Sequence, residues 1–240
     1  MSKLYRDSGV VLRTHKFGEA DRIIVVLTEH HGKVRCVAKG VRKGSSKFGG
    51  RLEPLSNVAL LLREGRQLDQ ISQVETVDHF RALRNDLSLL AAGSALVEAI
   101  DLVSEERQPN QRLYQMAVGA LRTLSAGLSP LFLPSFHLKL LAADGVQPRI
   151  DECVSCASLG PLVAFDVSQG GALCQSCRRG LPLSSNALAL LRRVLGGDLV
   201  GALSEAESPA THEVELIALR SFEHHVERRL RVVPSLITEH

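Results

Sequence analysis

The first third of the chain consists of short apolar runs separated by turn-forming residues, a pattern typical of small antiparallel β structures. The third run is the clearest, because Val34, Cys36 and Ala38 fall on one face of a strand and charged residues occupy the other. The runs predict five strands, at residues 9–12, 21–28, 33–39, 55–62 and 68–77. Five short strands in about 75 residues favour a small closed barrel such as an OB-fold, although an SH3-like barrel also fits.

After Asp78 the apolar residues recur at helical spacing. Capping residues and glycines predict five helices, at residues 87–104, 110–126, 130–144, 185–195 and 209–231. Several of these helices are too apolar to face water on all sides, so we expect them to pack as a bundle. The sequence thus predicts an α+β multidomain protein with a barrel first and helices after it.

Four of the five cysteines form two CxxC pairs separated by 17 residues: Cys153, Cys156, Cys174 and Cys177. The intervening residues predict a hairpin, with strands at 161–167 and 172–173 around a Gly170-Gly171 turn. Two CxxC turns on a hairpin can supply four tetrahedral thiolates, so we predict one structural Zn²⁺ per chain. Two disulfides or a thioredoxin-like redox pair are the alternatives. The predicted domains are 1–80 (barrel), 81–149 (helical), 150–180 (zinc ribbon inserted into the bundle) and 181–240 (helical).

Composition places the chain among ordinary globular proteins, with 45% hydrophobic and 23% charged residues. No apolar run follows the first residues, and none approaches the roughly 20 residues of a membrane span. Together with the metal-type cysteines, this predicts a cytoplasmic protein without membrane contact. Residues 1–80 hold 14 Lys and Arg against 9 Asp and Glu, whereas the other residues hold 15 against 17. The positive charge therefore belongs to the predicted barrel.

That charge is densest between residues 33 and 51, a segment without any acidic residue that we call the basic strip. Its seven cations are Lys33, Arg35, Lys39, Arg42, Lys43, Lys47 and Arg51. Clustered cations without acidic neighbours predict binding to nucleic-acid phosphates, while a solvated strand edge is the alternative. Only Phe17 and Phe48 lie near the strip in sequence. We therefore expect contacts mainly to phosphates, insensitive to base sequence, sensitive to salt and tolerant of single and double strands.

Motifs of common enzymes are missing from the sequence: it has no GxxxxGK[ST] loop, no HExxH and no GxSxG. This predicts a protein without catalytic activity. A protein–protein scaffold with incidental DNA affinity is the main alternative, and a metal-dependent hydrolase is disfavoured by four cysteine ligands. Arginines between residues 192 and 231 either extend a DNA surface, receive an acidic peptide or form a solvated helix face.

A set of motifs in the first part of the chain resembles the bacterial DNA repair protein RecO, a family of recombination mediators. The motifs are Gly9-Val-Val-Leu-Arg-Thr14, Phe17-Gly-Glu-Ala-Asp-Arg22, Leu27-Thr28, Gly32-Lys33, Ala38-Lys-Gly40 and Leu52-Glu-Pro54, followed by the CxxC, Gly170-Gly171 and CxxC pattern. Some members of the family lack the four cysteines.

The resemblance implies an N-terminal OB-fold and a role in RecF-type DNA repair. It implies binding of single- and double-stranded DNA, annealing of complementary strands and help in loading the RecA recombinase. RecR and the single-stranded DNA-binding protein are the implied partners. Carried onto this chain, the resemblance implies phosphate contacts by Lys33, Arg35, Lys39, Arg42 and Lys43. It also implies that the helical region binds the C-terminal tail of the single-stranded DNA-binding protein.

Overall fold

The computed structural model describes residues 3–44, 46 and 48–232. Lys47, one of the predicted DNA-binding residues, lies outside the described residues. Contacts divide the chain into two compact units. The first contains the described residues up to Gly127 together with Arg231 and Val232, and the second runs from Leu128 to Leu230.

The first unit is built on a closed five-stranded barrel with the strand order β1-β2-β3-β5-β4. Its strands are β1 (Leu4–Phe17), β2 (Asp21–Thr28), β3 (Gly32–Ala38), β4 (Asn57–Arg63) and β5 (Asp69–Asp78). Neighbours are antiparallel except β3 and β5, which pair in parallel at Cys36 and Val37. This is the OB-fold arrangement, so the predicted OB-fold is confirmed and the SH3-like alternative is wrong.

Strand β1 is the longest element of the barrel and pairs with two neighbours. Residues 4–10 pair with β4, residues 9–17 pair with β2, and the register shifts between Val11 and Arg13. The sequence predicted only residues 9–12 of this strand. Its polar ends carry little apolar pattern, and they become strand because partner strands offer hydrogen bonds to them.

The barrel core confirms the alternation expected in β3, since Val34, Cys36 and Ala38 are fully buried. They pack with Val11, Ile24, Val26, Val58, Leu60, Leu62 and Ile71. Burial raises the pKa of the Cys36 thiol, which therefore stays protonated and acts as a small apolar side chain.

Three helices pack with the barrel in the first unit: α1 (Arg81–Asn85), α2 (Leu87–Val103) and α3 (Gln111–Ala126). The Asp86 carboxylate accepts a hydrogen bond from the Leu89 N–H at 2.9 Å and caps α2. The Asn110 side chain accepts one from the Leu113 N–H at 2.9 Å and caps α3. Both predicted helix starts are confirmed. The five-residue α1 escaped prediction because it is too short to show a helical period.

The second unit packs four helices around a small three-stranded sheet of order β7-β6-β8. Its elements are α4 (Phe132–Ala143), β6 (Leu162–Asp166), β7 (Gly171–Cys174), β8 (Leu181–Pro182), α5 (Ser185–Leu195), α6 (Leu199–Leu203) and α7 (Pro209–His225). One apolar core joins the sheet to the helices, with Phe165 and Leu173 buried beside Leu191 and Ile217. No helix in the described part of the chain is long and apolar enough to cross a membrane.

Helix α7 ends at His225, so the predicted extension to Arg231 is wrong. The chain turns out of the helix because Glu227 adopts a left-handed conformation with φ 51°. The Arg228 N–H then donates to the Glu223 carbonyl at 3.1 Å, which closes the end of the helix. Arg228, Arg229 and Arg231 consequently lie beyond α7.

Contacts between elements follow different boundaries from the four predicted domains 1–80, 81–149, 150–180 and 181–240. Helices α2 and α3 pack on each other and on β1, and the division between the two units falls at Gly127 rather than after the barrel. The four-domain division itself stays a prediction.

Asp7 is a buried carboxylate of β1 that holds two histidines. Its oxygens accept hydrogen bonds from His30 Nδ1 at 3.0 Å and His31 Nδ1 at 2.6 Å. The two imidazoles are partly exposed, and both are held by the buried Asp7 carboxylate. Burial alone raises the pKa of Asp7, yet the hydrogen bonds from His31 and His30 outweigh it and hold this pKa below 3.8. The Asp7 carboxylate is therefore charged at neutral pH and ties the β2–β3 turn to β1.

Asp69 is a second buried carboxylate, at the start of β5. It accepts hydrogen bonds from Arg107 Nη2 at 2.7 Å, from the Gly65 N–H at 3.0 Å and from the Tyr5 hydroxyl. Burial alone raises the pKa of Asp69, but the bonds from Arg107 and Tyr5 more than offset it and keep this pKa below 3.8. The ionised carboxylate thus joins β1, β5 and the segment before α3.

We predict that Asp69→Asn destabilises the first unit by about 2 kcal/mol at neutral pH, because Arg107 loses a charged hydrogen-bond partner. The folded-state pKa of Asp69 lies below its unfolded value, so this stabilisation is present above pH ~4 and is lost as the pH falls further. Denaturant unfolding of wild type and variant between neutral and acid pH should show the difference shrinking below pH ~4.

Asp144→Asn is the matched control, because Asp144 is 43% exposed and forms a surface pair with His225. It should change stability little at any pH. A deficit of Asp69→Asn that stayed constant down to the lowest pH would contradict the assignment.

Candidate metal centre and nucleic-acid interface

The four CxxC cysteines converge on one point of the second unit. Cys153 and Cys156 precede β6, Cys174 ends β7, and Cys177 closes the 3₁₀ turn Gln175–Cys177. Their four Sγ atoms all lie within 4.8 Å of one another, and Cys156 and Cys174 are 3.7 Å apart. Four sulfurs about 2.3 Å from a tetrahedral ion are separated by about 3.8 Å. The spacing therefore suits a single four-coordinate metal, and all five cysteines are free of disulfide bonds.

The hairpin between the pairs depends on its two glycines. Gly170 has φ +65°, a conformation that residues with a side chain rarely adopt. A Cβ on Gly171 would lie 2.2 Å from Val154 Cγ1 and 2.6 Å from the Arg149 carbonyl. The Ala172 N–H donates to that same carbonyl at 2.8 Å. The close backbone approach sets the first CxxC turn against the hairpin that carries the second.

The thiols of Cys153 and Cys156 have pKa values shifted in opposite directions by their surroundings in the cluster. Backbone N–H groups, with that of Cys174 foremost, lower the pKa of Cys153 to about 6. For Cys156 the Ser158 N–H favours the thiolate, but the three neighbouring thiols outweigh it and raise the pKa to about 12. A divalent cation relieves this repulsion between thiolates. The residues present therefore fit a four-thiolate metal site.

The basic strip begins on the outer face of β3, where the structure shows that Lys33 is not a free surface charge. Its side chain is only 13% exposed, and Nζ contacts the Asp101 carbonyl at 2.7 Å and the Asp101 carboxylate at 3.1 Å. Arg35 Nε lies 3.9 Å from the Glu106 carboxylate, a weak contact. The expectation of seven uncompensated charges is therefore wrong at Lys33, because α2 supplies an acidic residue that is distant in sequence.

Further along, the strip packs on the turn between β1 and β2. The Arg42 N–H donates to the Ala20 carbonyl at 2.9 Å, and Arg42 Nη1 donates to the Glu19 carbonyl at 3.0 Å. The Gly40 N–H donates to the Asp21 carboxylate at 2.7 Å, so Asp21 has a structural role in this turn. These bonds hold the loop after β3 against the β1–β2 hairpin.

Lys39, Arg42 and Lys43 are exposed at this position. The lysine side chains have no polar partner within the described residues, and Arg42 uses only backbone acceptors. Three exposed cations without an acidic partner among the described residues therefore lie within five residues of the chain, in a segment that packs on the β1–β2 turn. They form the part of the strip that is electrostatically available to an anion.

Arg51, the last cation of the strip, opens onto a hollow that sequence reasoning missed. We call it the arginine hollow; its volume is about 550 Å³ and it is lined by Gly50, Arg51, Glu53, His79, Arg81 and Arg84. Arg84 is oriented by hydrogen bonds to the Pro54 carbonyl at 2.7 Å and the Ser56 hydroxyl at 2.9 Å. Glu53 is paired with Arg22 at 3.0 Å. The three arginines thus outnumber the one carboxylate, which is already neutralised.

Two arginines three residues apart in α1 were the one sequence signal for the hollow, but no sequence pattern connects them to Arg51.

The arginines of the second unit behave differently. Arg193 pairs with Asp198 and Glu205, and Arg220 pairs with Glu223 at 2.9 Å. This agrees with the solvated-face alternative for these two residues.

Comparison with known proteins adds an independent observation. Residues 1–80 match the family model "Recombination protein O N terminal", and residues 84–234 match "Recombination protein O C terminal". The chain is also 43% identical over 239 residues to the DNA repair protein RecO of Frankia casuarinae, covering 97% of this chain and 98% of that protein.

The chain belongs to the RecO family of DNA repair proteins. The boundary between the two RecO family models falls at residues 80–84, just after β5 ends at Asp78 and within α1. The motif Phe17-Gly-Glu-Ala-Asp-Arg22, on which the resemblance to RecO partly rested, forms the β1–β2 turn that holds Arg42. In this RecO chain the motif therefore supports the exposed cations of the strip.

We predict that Cys156→Ser removes the bound metal, because one hard oxygen replaces a thiolate in a site with no spare ligand. The metal content measured by elemental analysis should fall from one ion per chain in wild type to far less in the variant. Amide hydrogen exchange should rise across residues 150–180, since metal binding supplies folding free energy there.

Cys36→Ala provides the control, because Cys36 is buried in the barrel core of the first unit and belongs to neither CxxC pair. It should keep one metal per chain. Full metal occupancy in Cys156→Ser would contradict the four-thiolate assignment.

Proposed function

We propose that this RecO-family protein is a non-enzymatic recombination mediator that binds single- and double-stranded DNA and anneals complementary strands. Helping to load the RecA recombinase belongs to the same proposal. The observation that carries it is the exposed surface formed by Lys39, Arg42 and Lys43 on an OB-fold barrel. Family membership supports DNA repair as the context.

The DNA contacts in this proposal are electrostatic. Phosphates approach Lys39, Arg42 and Lys43 and continue toward Arg51, Arg81 and Arg84 in the arginine hollow. Arg35 is 46% exposed and adds a weaker contact, while Lys33 acts mainly by holding β3 to α2. Guanidinium groups suit this role, because their fixed planar donors match two phosphate oxygens. Contacts of this kind do not depend on base sequence.

Annealing follows from the same charge. Two complementary strands repel each other through their phosphates, and a cationic surface that neutralises part of that charge lowers the repulsion. The sequence has no phosphate-binding GxxxxGK[ST] loop, and the proposed step consumes no nucleotide. Annealing should therefore proceed without ATP.

Zinc is the metal we propose for the four cysteines, since a closed set of four thiolates is typical of structural zinc. The ion would be held by Cys153, Cys156, Cys174 and Cys177 and would stabilise the hairpin. Because all four positions are filled by protein ligands, the site offers no coordination position to a substrate.

RecR and the single-stranded DNA-binding protein are the proposed protein partners. The support is membership in the RecO family, and no residue is assigned to either contact. A scaffold that binds these partners and has only incidental DNA affinity is the competing function. The two are separated by asking whether DNA binding and RecR binding depend on the same cations.

We predict that Lys39→Ala, Arg42→Ala and Lys43→Ala together weaken DNA binding about equally for different sequences. The loss of three phosphate contacts should reduce the slope of log affinity against log salt by about 2 to 3. Fluorescence anisotropy with single- and double-stranded oligonucleotides over a range of salt concentrations measures both effects.

A triple alanine variant of Arg112, Arg122 and Lys139 removes the same charge from exposed helix positions and is the matched control. It should change affinity and salt slope much less. If the strip variant bound DNA like wild type while losing RecR, the scaffold function would replace our proposal.

A further inference from the structure

The structure separates the aromatic residues sharply by exposure. The chain has seven Phe, two Tyr and no Trp, and all nine rings lie in the described part. Seven of them are buried: Phe48, Phe80, Tyr114, Phe132, Phe136, Phe165 and Phe222. Tyr5 is half-buried and its hydroxyl bonds to Asp69. Phe17 alone is a large exposed ring, with 46% of its surface open to solvent.

Phe17 ends β1 at the tip of the β1–β2 hairpin, where it pairs with Asp21. It belongs neither to the barrel core nor to the partly buried side chains packed against that core. The next residue, Gly18, has φ +57°, and a Cβ built there meets no atom within 4 Å. The surroundings of the tip are therefore open, and the barrel does not need the ring to fill its interior.

The loop that carries the exposed part of the basic strip packs on the turn that follows Phe17. Arg42 binds the carbonyls of Glu19 and Ala20, two and three residues after Phe17. Lys39 and Lys43 flank Arg42 in sequence and are exposed beside the same turn. An exposed ring near cations that have no carboxylate partner among the described residues is a combination that binds single strands, since bases stack on the ring while cations hold the phosphates.

We propose that Phe17 stacks on an unpaired base of single-stranded DNA whose phosphates contact Lys39, Arg42 and Lys43. The proposal rests on the proposed function, because it assigns a base-contacting residue to the same surface. It modifies the expectation of contacts to phosphates alone. In a duplex both faces of a base are covered by its neighbours, so the ring gives the surface a preference for single strands.

The test compares three probes of equal length, about 16 nucleotides: oligo-dT, an abasic strand with the same phosphates, and a duplex. Binding is measured by fluorescence anisotropy at one salt concentration. Phe17→Ala and Phe17→Leu should each weaken oligo-dT binding by about tenfold, because stacking needs a flat ring rather than apolar surface. Neither variant should change binding of the abasic strand or the duplex. Phe17→Tyr should retain wild-type affinity for oligo-dT.

Leu4→Ala is the matched control, since Leu4 is an exposed apolar residue at the opposite end of β1. It should leave all three affinities unchanged. Equal affinity of wild type and Phe17→Ala for oligo-dT would overturn the proposal, as would an equal loss for the abasic strand. Loss of RecR binding by Phe17→Ala with unchanged oligo-dT binding would also overturn it, and would make the ring a protein contact.

The result is distinguishable from failure of the proposed function. The triple variant of Lys39, Arg42 and Lys43 should weaken binding to all three probes, whereas the Phe17 variants affect only the probe with unpaired bases. Loss of stacking with intact phosphate binding, and the reverse, are therefore separate outcomes.

Discussion

Closure of the barrel is the constraint on which the proposed DNA surface depends. Strand β1 pairs with β4 through its first half and with β2 through its second half. Its last residues extend beyond the pairing with β4, so the β1–β2 hairpin carries Phe17 at its tip. The loop after β3 is then tied to this hairpin by Arg42 and by the contact of Gly40 with Asp21. Strands β1, β2 and β3 must therefore pair in register before the loop that carries the cations meets the turn that follows Phe17.

Buried and half-buried charges divide the cations of the first unit into two groups. Lys33 and Arg107 are held by Asp101 and Asp69, and the backbone of residues 105–107 pairs with Lys33. These residues fasten the segment between α2 and α3 to the barrel. Within the part of the chain that the structure describes, Lys39, Arg42 and Lys43 have no such carboxylate partners. A cation without an acidic partner is available to a phosphate. The pattern of ion pairs therefore decides which cations of the strip are candidates for phosphate binding.

The metal centre has a different kind of role. Cys153 and Cys174 belong to the same core as the helices of the second unit, so a metal that fixes the cysteines also fixes part of that core. The small sheet has only three short strands, two of which are at its edges. Such a small sheet has little apolar area of its own, and four coordinate bonds to the proposed metal would offset this shortage. The proposed role of the cysteine centre is thus to stabilise the second unit.

The sequence by itself determined those features that depend on interactions between residues close together in the chain. Asp86 and Asn110 cap the helices that follow them, the alternation of β3 sets its faces, and the CxxC turns with Gly170-Gly171 form the cysteine centre. Each of these depends on residues within one turn or one hairpin. The sequence predicted the class of barrel but not the order of its strands, because the apolar pattern of a strand does not show which strand it pairs with.

Only the tertiary structure decided which of the similar residues are functional candidates. Phe17 and Phe48 both flank the strip in sequence, yet Phe48 is 3% exposed and Phe17 is 46% exposed. Lys33 resembles Lys39 in its sequence neighbourhood, but Asp101, 68 residues after Lys33, binds Lys33 and not Lys39. Arg51 meets Arg81 and Arg84 through the fold of the first unit. Burial and ion pairing between distant residues are set by packing, and no local pattern records them.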